Sequence, residues 1–226
     1  MCGRAYHTYT EEELEARYLN EKSKRNPLGF TKNFNLAPTQ EAPIVIQAES
    51  APEIKMARFG LIPFWAQDVK SAAKYSLINA RGEEISTKRS YKNAFQKHRC
   101  IVPLSGFFEW ERTEDGKKRP FAIHLKSGAI MSVAGVWEND SFSIITIGAN
   151  SMMAAIHDRM PVILDPKDET AWLDPGEHSL PTLEKFLKPC PSSWLECYEI
   201  SPLVNSPKNN REEVLSAAES EVGHPS

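Results

Sequence analysis

An α+β domain is the fold class that the sequence predicts: a mainly antiparallel, partly closed barrel-like sheet core flanked by short helices. Three observations point there. Apolar runs of three to eight residues, rich in β-branched and aromatic side chains, recur along the chain with Gly and Pro between them. Glu114-Asp115-Gly116-Lys117 supplies a hairpin turn between two of these runs. Helical patterns are few and short, and there is neither an internal repeat nor a Gly-rich phosphate loop.

Taken in chain order, Thr10 and Glu13 have capping-box spacing and open a helix over Glu11 to Lys22, with Leu14, Tyr18 and Leu19 as its buried stripe. Arg25 to Phe34 reads as loop. Strands are predicted over Pro43–Gln47, Ile54–Phe59, Cys100–Pro103, Phe107–Arg112, Phe121–Leu125, Ile130–Trp137, Phe142–Thr146 and Val162–Leu164. Helices are predicted over Ser90–Lys97, Met152–Ala155, Asp168–Leu173 and Leu180–Leu187. One domain over residues 1–215 and a mobile acidic tail over 216–226 complete the expectation.

A chain of 226 residues with 41% hydrophobic and 25% charged residues has the make-up of a soluble globular protein. No run approaches the roughly 18 apolar residues of a membrane span. Glu11, Glu12 and Glu13 follow too soon after the N-terminus for a secretory signal, so the cytosol or nucleoid is the expected location. Cys2, Cys100, Cys190 and Cys197 form no Cys-x-x-Cys pair, so neither a zinc site nor a disulfide framework is expected. The net charge of −3 speaks against a strongly basic nucleic-acid binder. Its distribution is uneven: the tail is acidic, and Lys70, Lys74, Arg81, Lys88, Arg89, Lys92, Lys97 and Arg99 face only Glu83 and Glu84.

Several residues carry chemistry. Removal of Met1 would leave Cys2 with an α-amine and a thiol on adjacent carbons, both partly reactive near neutrality. Such a 1,2-aminothiol captures an aldehyde as a Schiff base and closes a thiazolidine ring. The same residue suits an N-terminal nucleophile that cleaves amides with its own amine as base. Gly3 lets the backbone pass close to a ligand, and Arg4 suits a phosphate. Glu109, among Phe107, Phe108 and Trp110, would tend to hold its proton and act as a general acid; the alternative is an ordinary strand glutamate. His157 stands at a helix–strand junction as an acid–base candidate or a structural histidine. Asn79 suits an amine or hydroxyl and Arg81 a phosphate. Phe59 to Trp65 is either core or a wedge that stacks on an unpaired base.

Met1-Cys2-Gly3-Arg4, Asn35-Leu36-Ala37-Pro38-Thr39, Gly60-Leu61-Ile62-Pro63-x-Trp65, Asn79-Ala80-Arg81-x-Glu83, Gly106-Phe107-Phe108-Glu109-Trp110, His157-Asp158-Arg159-Met160-Pro161 and Ser201-Pro202-x-Val204-Asn205 occur in this order. Together they resemble the SRAP (SOS response-associated peptidase) family over nearly the whole chain, to about Leu215. Ala5-Tyr6-His7 departs from the more usual Phe-containing continuation. The resemblance implies a β-rich α+β fold and covalent capture of abasic sites in single-stranded DNA. It gives catalytic roles to Cys2, Asn79, Glu109 and His157, and DNA contacts to Arg4, Arg81 and Arg159, with Pro38 and Trp65 beside them. No metal or organic cofactor is implied, no membrane is involved, and a monomer is the default. Two other functions remain open: an N-terminal-nucleophile cysteine peptidase acting on itself or other peptides, and a non-covalent reader of damaged or modified DNA.

Overall fold

The computed structural model describes residues 3–19, 27–66 and 77–218. Cys2, Lys70, Lys74, the end of the expected first helix at Lys22 and the tail beyond Ala218 lie outside them. The capping box opens α1 (Glu11–Tyr18) as the sequence predicts: Thr10 Oγ1 accepts from Glu13 N at 3.2 Å, and Glu13 Oε2 accepts from Thr10 N at 2.7 Å. Leu14 and Tyr18 are its buried face, and Leu19 caps its C-terminal end.

Among the described residues twelve strands follow the chain as β1 (Ala5–His7), β2 (Asn33–Leu36), β3 (Glu41–Gln47), β4 (Pro52–Phe59), β5 (Asn79–Arg81), β6 (Arg99–Leu104), β7 (Gly106–Arg112), β8 (Lys118–Leu125), β9 (Met131–Glu138), β10 (Ser141–Gly148), β11 (Arg159–Pro161) and β12 (Leu195–Glu199). The other α-helices among the described residues are α2 (Lys92–Lys97), α3 (Glu169–Leu173) and α4 (Leu180–Glu184). Met153–Ala155 is a single 3₁₀ turn. The strand expected at Val162–Leu164 lies slightly earlier, at β11, because beyond Pro161 the chain moves from β10 to β9: Ala134 N donates to Val162 O at 2.8 Å, Leu164 N to Ser132 O at 2.9 Å, and Ile163 bridges Val133. Asn33 and Phe34, expected in a loop, begin β2, where pairing with β1 fixes them.

The strands form two sheets. One has the order β12-β8-β7-β1-β2 and is antiparallel throughout. The other runs β11-β10-β4-β3-β6-β9, and β9 returns to pair with β10, closing a ring. β10 makes this possible by sharing each of its edges. Its first half lies between β9 and β4, and its second half between β11 and β5. The pairings with β4 and β5 are parallel. The sheets are therefore mainly antiparallel, as predicted.

Period-two alternation divides the buried side chains of the first sheet between two cores. Ala5, Phe107 and Ile123 face the ring and pack with Phe59, Val102, Phe142 and Ile144. Tyr6, Phe108 and Ala122 face the other way and pack under Ile200, Val204 and Val214 of the C-terminal segment. On the far side of the ring, Leu14, Phe95, Trp172 and Leu183 bring the helices onto Val45, Ile101, Ala134 and Ile145.

Gly106 allows this crossing of strands at the start of β7. A Cβ there would stand 2.4 Å from both Ile123 O and Tyr6 Oη. Tyr6 instead stacks on Phe108, ring centroids 5.1 Å apart. Gly106→Ala is expected to destabilise the fold by about 1–3 kcal/mol, since the backbone of β8 cannot yield without cost. Urea denaturation checks this: a midpoint equal to the parent's would mean that both the Tyr6 ring and the β8 backbone at Ile123 give way freely.

Candidate active site

β1 and β7 set the geometry. Their antiparallel register pairs Ala5 with Phe107 and Tyr6 with Gly106. The ladder continues past β1, with Phe108 N donating to Arg4 O at 2.9 Å. Carried one step further, the same register sets Gly3 across from Glu109. The chain therefore approaches its N-terminus along the strand that bears Glu109.

Glu109 is only 2% exposed. Burial raises its carboxyl pKa, because the anion loses its water; nearby positive charge, His157 included, pulls it partly back. Glu109 lines a groove of about 570 Å³ together with Trp110, Arg112, Lys118, His157 and Asn205. Glu109 belongs to the first sheet, while His157 stands on the loop that enters β11 of the ring. The groove thus opens where the sheets meet.

His157 is fixed by its backbone, His157 N donating to Met153 O at 2.8 Å across the 3₁₀ turn. Its Nδ1 lies 3.0 Å from Arg159 N and 2.9 Å from Asp158 Oδ1. A neutral ring accepts the Arg159 N–H at Nδ1 and so carries its proton on Nε2. With a proton on Nδ1 the ring would instead donate to the exposed Asp158 carboxylate and give up the Arg159 N–H.

The second half of β10 collects the other expected residues. Ile144 pairs with Asn79 and Thr146 with Arg81 in β5, while Gly148 pairs with Arg159 in β11. Tyr91 Oη donates to Asn79 O at 3.0 Å. Both polar atoms of the Asn79 side chain are buried without a hydrogen-bond partner among the described residues. Such an orphaned amide is costly unless something else binds it. Arg81 is exposed, and its side chain makes no hydrogen bond or ion pair among the described residues.

Arg159 differs. It is 7% exposed, and its guanidinium forks onto Glu83 at 2.6 and 2.9 Å and donates to Thr146 O at 2.7 Å. The Arg4 guanidinium is likewise held from inside, by Asn35 Oδ1 and Val204 O. Pro38 sits in the turn Ala37–Gln40, closed by Gln40 N donating to Ala37 O at 3.2 Å, with Thr39 at φ +78°. Trp65 has the Arg89 guanidinium 5.7 Å above its ring. Its neighbour Phe64 is 59% exposed, with its N–H on Glu138 Oε2 at 2.9 Å. Neither Pro38 nor Trp65 lines the groove that holds Glu109 and His157.

The basic stretch thins in three dimensions. Arg99 is buried and spends its guanidinium on the carbonyls of Trp172, Phe95, Gln96, Asp174 and Glu177. Lys88 pairs with Glu84 at 2.7 Å. Two cations that the sequence reading passed over lie on the groove instead. Arg112 and Lys118 are cross-strand partners on either side of the hairpin turn. Hairpin register carries that signal, since residues equidistant from Asp115 must face one another.

Among the described residues no cluster of three or more His, Cys, Asp or Glu could hold a metal ion. No helix among them is long and apolar enough to cross a membrane. A family model described as SOS response associated peptidase (SRAP) matches residues 1–207. The chain is 40% identical to the Bacillus subtilis abasic site processing protein YoaM, over 83% of this chain and 86% of that one. It is 28% identical to the Rattus norvegicus abasic site processing protein HMCES, over 97% of this chain and 76% of the relative. A crystal structure of a Bacteroides thetaiotaomicron protein superposes with a TM-score of 0.83 at 28% identity, covering 96% of this chain and all of that one.

Proposed function

Because this chain belongs to the SOS response associated peptidase family, we propose that it processes abasic sites in DNA by covalent capture on Cys2. The observation that carries the reading is the placement of the buried Glu109, whose carboxyl pKa burial raises, with His157 on one groove. Trp110, Arg112 and Lys118 supply the rim with a stacking surface and cations. The chain leading back to Cys2 runs along the same strand.

An abasic sugar is mostly a closed hemiacetal with a little open aldehyde. Glu109 or His157 delivers a proton to the ring oxygen and speeds opening. The Cys2 amine attacks the aldehyde carbon and water leaves, giving an imine. The Cys2 thiol then adds across the C=N bond, its sulfur joining carbon and its proton passing to nitrogen, and the thiazolidine closes. Asn79, whose buried amide has no partner among the described residues, holds the amine or the sugar hydroxyl during this sequence. Arg81 meets a phosphate, and Pro38 and Trp65 border the strand. Arg4 and Arg159 add positive charge beside it, although protein acceptors hold their forks.

The test is a denaturing gel with single-stranded DNA bearing one abasic site. A heat-stable shifted band is expected, formed faster than with fully paired DNA, because extruding a sugar from a duplex costs on the order of a few kcal/mol. Intact-mass spectrometry should find the chain shorter by Met1. A retained methionine in a crosslinking preparation would rule out the aminothiol route. The absence of any band would leave a peptidase or a non-covalent reader.

Affinity for DNA should rest on few cations, given the net charge of −3. Each phosphate neutralised on a single strand adds about −0.7 to the slope of log affinity against log salt. Arg81→Ala is therefore expected to flatten that slope by roughly one contact's worth and to slow crosslinking at low DNA concentration. An unchanged slope would mean that the strand runs elsewhere.

A further inference from the structure

Asn35 is fully buried, and its side chain joins two distant parts of the chain. Its Oδ1 accepts from the Arg4 guanidinium, with Nε at 3.1 Å. Its Nδ2 faces the carbonyls of Val204, Ser206 and Asn209 at 3.2, 3.0 and 2.9 Å, which share its two protons. Arg4 Nη2 also reaches Val204 O, closing the triangle. Around it, Phe34 N donates to Asn210 Oδ1 at 2.7 Å, and Asn209 Nδ2 to Leu203 O at 2.8 Å.

The segment so held is functional in position. Asn205 follows Val204 directly, lines the groove, and accepts from Trp110 Nε1 at 2.8 Å. Arg4, at the other end of the latch, stands two residues from Cys2, so Cys2 Cα can lie no more than about 7.2 Å from that of Arg4. The planar guanidinium meets Asn35 Oδ1 through Nε and Nη2 and Val204 O through Nη2, a fixed side-on arrangement that a point-like lysine ammonium on a flexible stem does not reproduce.

We propose that Asn35 is a positioning residue: by clamping the Arg4 fork to the Val204–Asn209 segment, it fixes the course of the chain that delivers the Cys2 nucleophile to the Glu109 groove. This rests on the capture reaction proposed above. In it, the Arg4 guanidinium serves alignment of the nucleophile more than attraction of DNA.

The test separates rate from affinity. Single-turnover crosslinking at saturating single-stranded abasic DNA is measured for the parent, Arg4→Lys, Asn35→Ala and the double variant. Binding is measured with an oligonucleotide carrying a tetrahydrofuran site, which has no aldehyde. Arg4→Lys and Asn35→Ala are each expected to slow the saturated rate roughly 10- to 100-fold, as a small misalignment does. Their Kd for the tetrahydrofuran strand should match the parent's, and the double variant should be no slower than the slower single one.

Parental rates in both single variants overturn the proposal. So does a weakened Kd with an unchanged saturated rate, which would make Arg4 a phosphate contact. If Asn35→Ala does not fold, Arg4→Lys decides alone, since it keeps the charge and removes the fork. A parent protein that forms no crosslink overturns the capture reaction and this proposal with it. Slow variants of a competent parent support both.

Discussion

Cys2→Ser is expected to form no heat-stable adduct with abasic DNA while still forming one that borohydride traps. Serine keeps the α-amine, so the Schiff base can still be made. Its hydroxyl is a far weaker nucleophile than a thiolate, which is partly present near neutral pH because the thiol pKa is about 8.5. The imine therefore stays open to water and reverts. The loss of stable product should be essentially complete, the largest effect anticipated for any single change in this chain. Cys2→Ala should behave alike, and blocking the amine by acetylation should abolish the trapped species as well. Stable adduct from Cys2→Ser without reductant would mean that the linkage does not depend on sulfur, and the thiazolidine route would fall.

Much of this arrangement was legible in the sequence, and the parts that were not share a physical cause. Strands β3, β4, β6, β7, β8, β9 and β10 announce themselves because each has enough residues for β-branched and aromatic side chains to mark it. β1, β2, β5 and β12 span three to five residues, too few for alternation to register. Ala5-Tyr6-His7 and Asn79-Ala80-Arg81 are extended because of what they pair with, β7 in one case and the second half of β10 in the other. Such pairing is non-local and leaves no local trace.

The site divides in the same way. Glu109 could be read as proton-retaining from Phe107, Phe108 and Trp110 around it, and its burial and raised pKa agree. The family resemblance gives Arg159 a DNA contact, and in the fold Glu83, far away along the chain, holds its fork. Arg99 reads as part of a basic surface and is a buried staple for five carbonyls. A cation's sign is written in the sequence; whether the fold has used its donors is not. Asn35 illustrates the converse, since nothing in Asn33-Phe34-Asn35-Leu36 says that its amide will hold Arg4 against Val204.

Glu109→Gln should have opposite effects on chemistry and on stability. As a general acid, the carboxyl contributes typically 10²- to 10⁴-fold, so crosslinking is expected to slow by roughly that factor. The carboxyl is neutral when protonated, and burial favours that form, raising its pKa above the ordinary 4.5. The acid thus remains available above the usual carboxylate range. The acid form is lost as pH climbs through the raised Glu109 pKa, and that part of the pH dependence of the crosslinking rate should be missing in Glu109→Gln. The stability consequence follows from proton binding: above pH 4.5 the unfolded chain releases this proton while the folded chain still holds it. Folded-state stability from this group therefore declines as pH rises through that window, up to the folded pKa, because the buried anion must be accommodated. Gln has nearly the same shape and never ionises, so Glu109→Gln should melt higher than the parent at pH 8 and alike at pH 4. Parallel thermal melts and pH–rate profiles check both halves. A parental crosslinking rate, or a lower melting temperature at pH 8, would mean that Glu109 serves the fold as an anion and not the reaction as an acid.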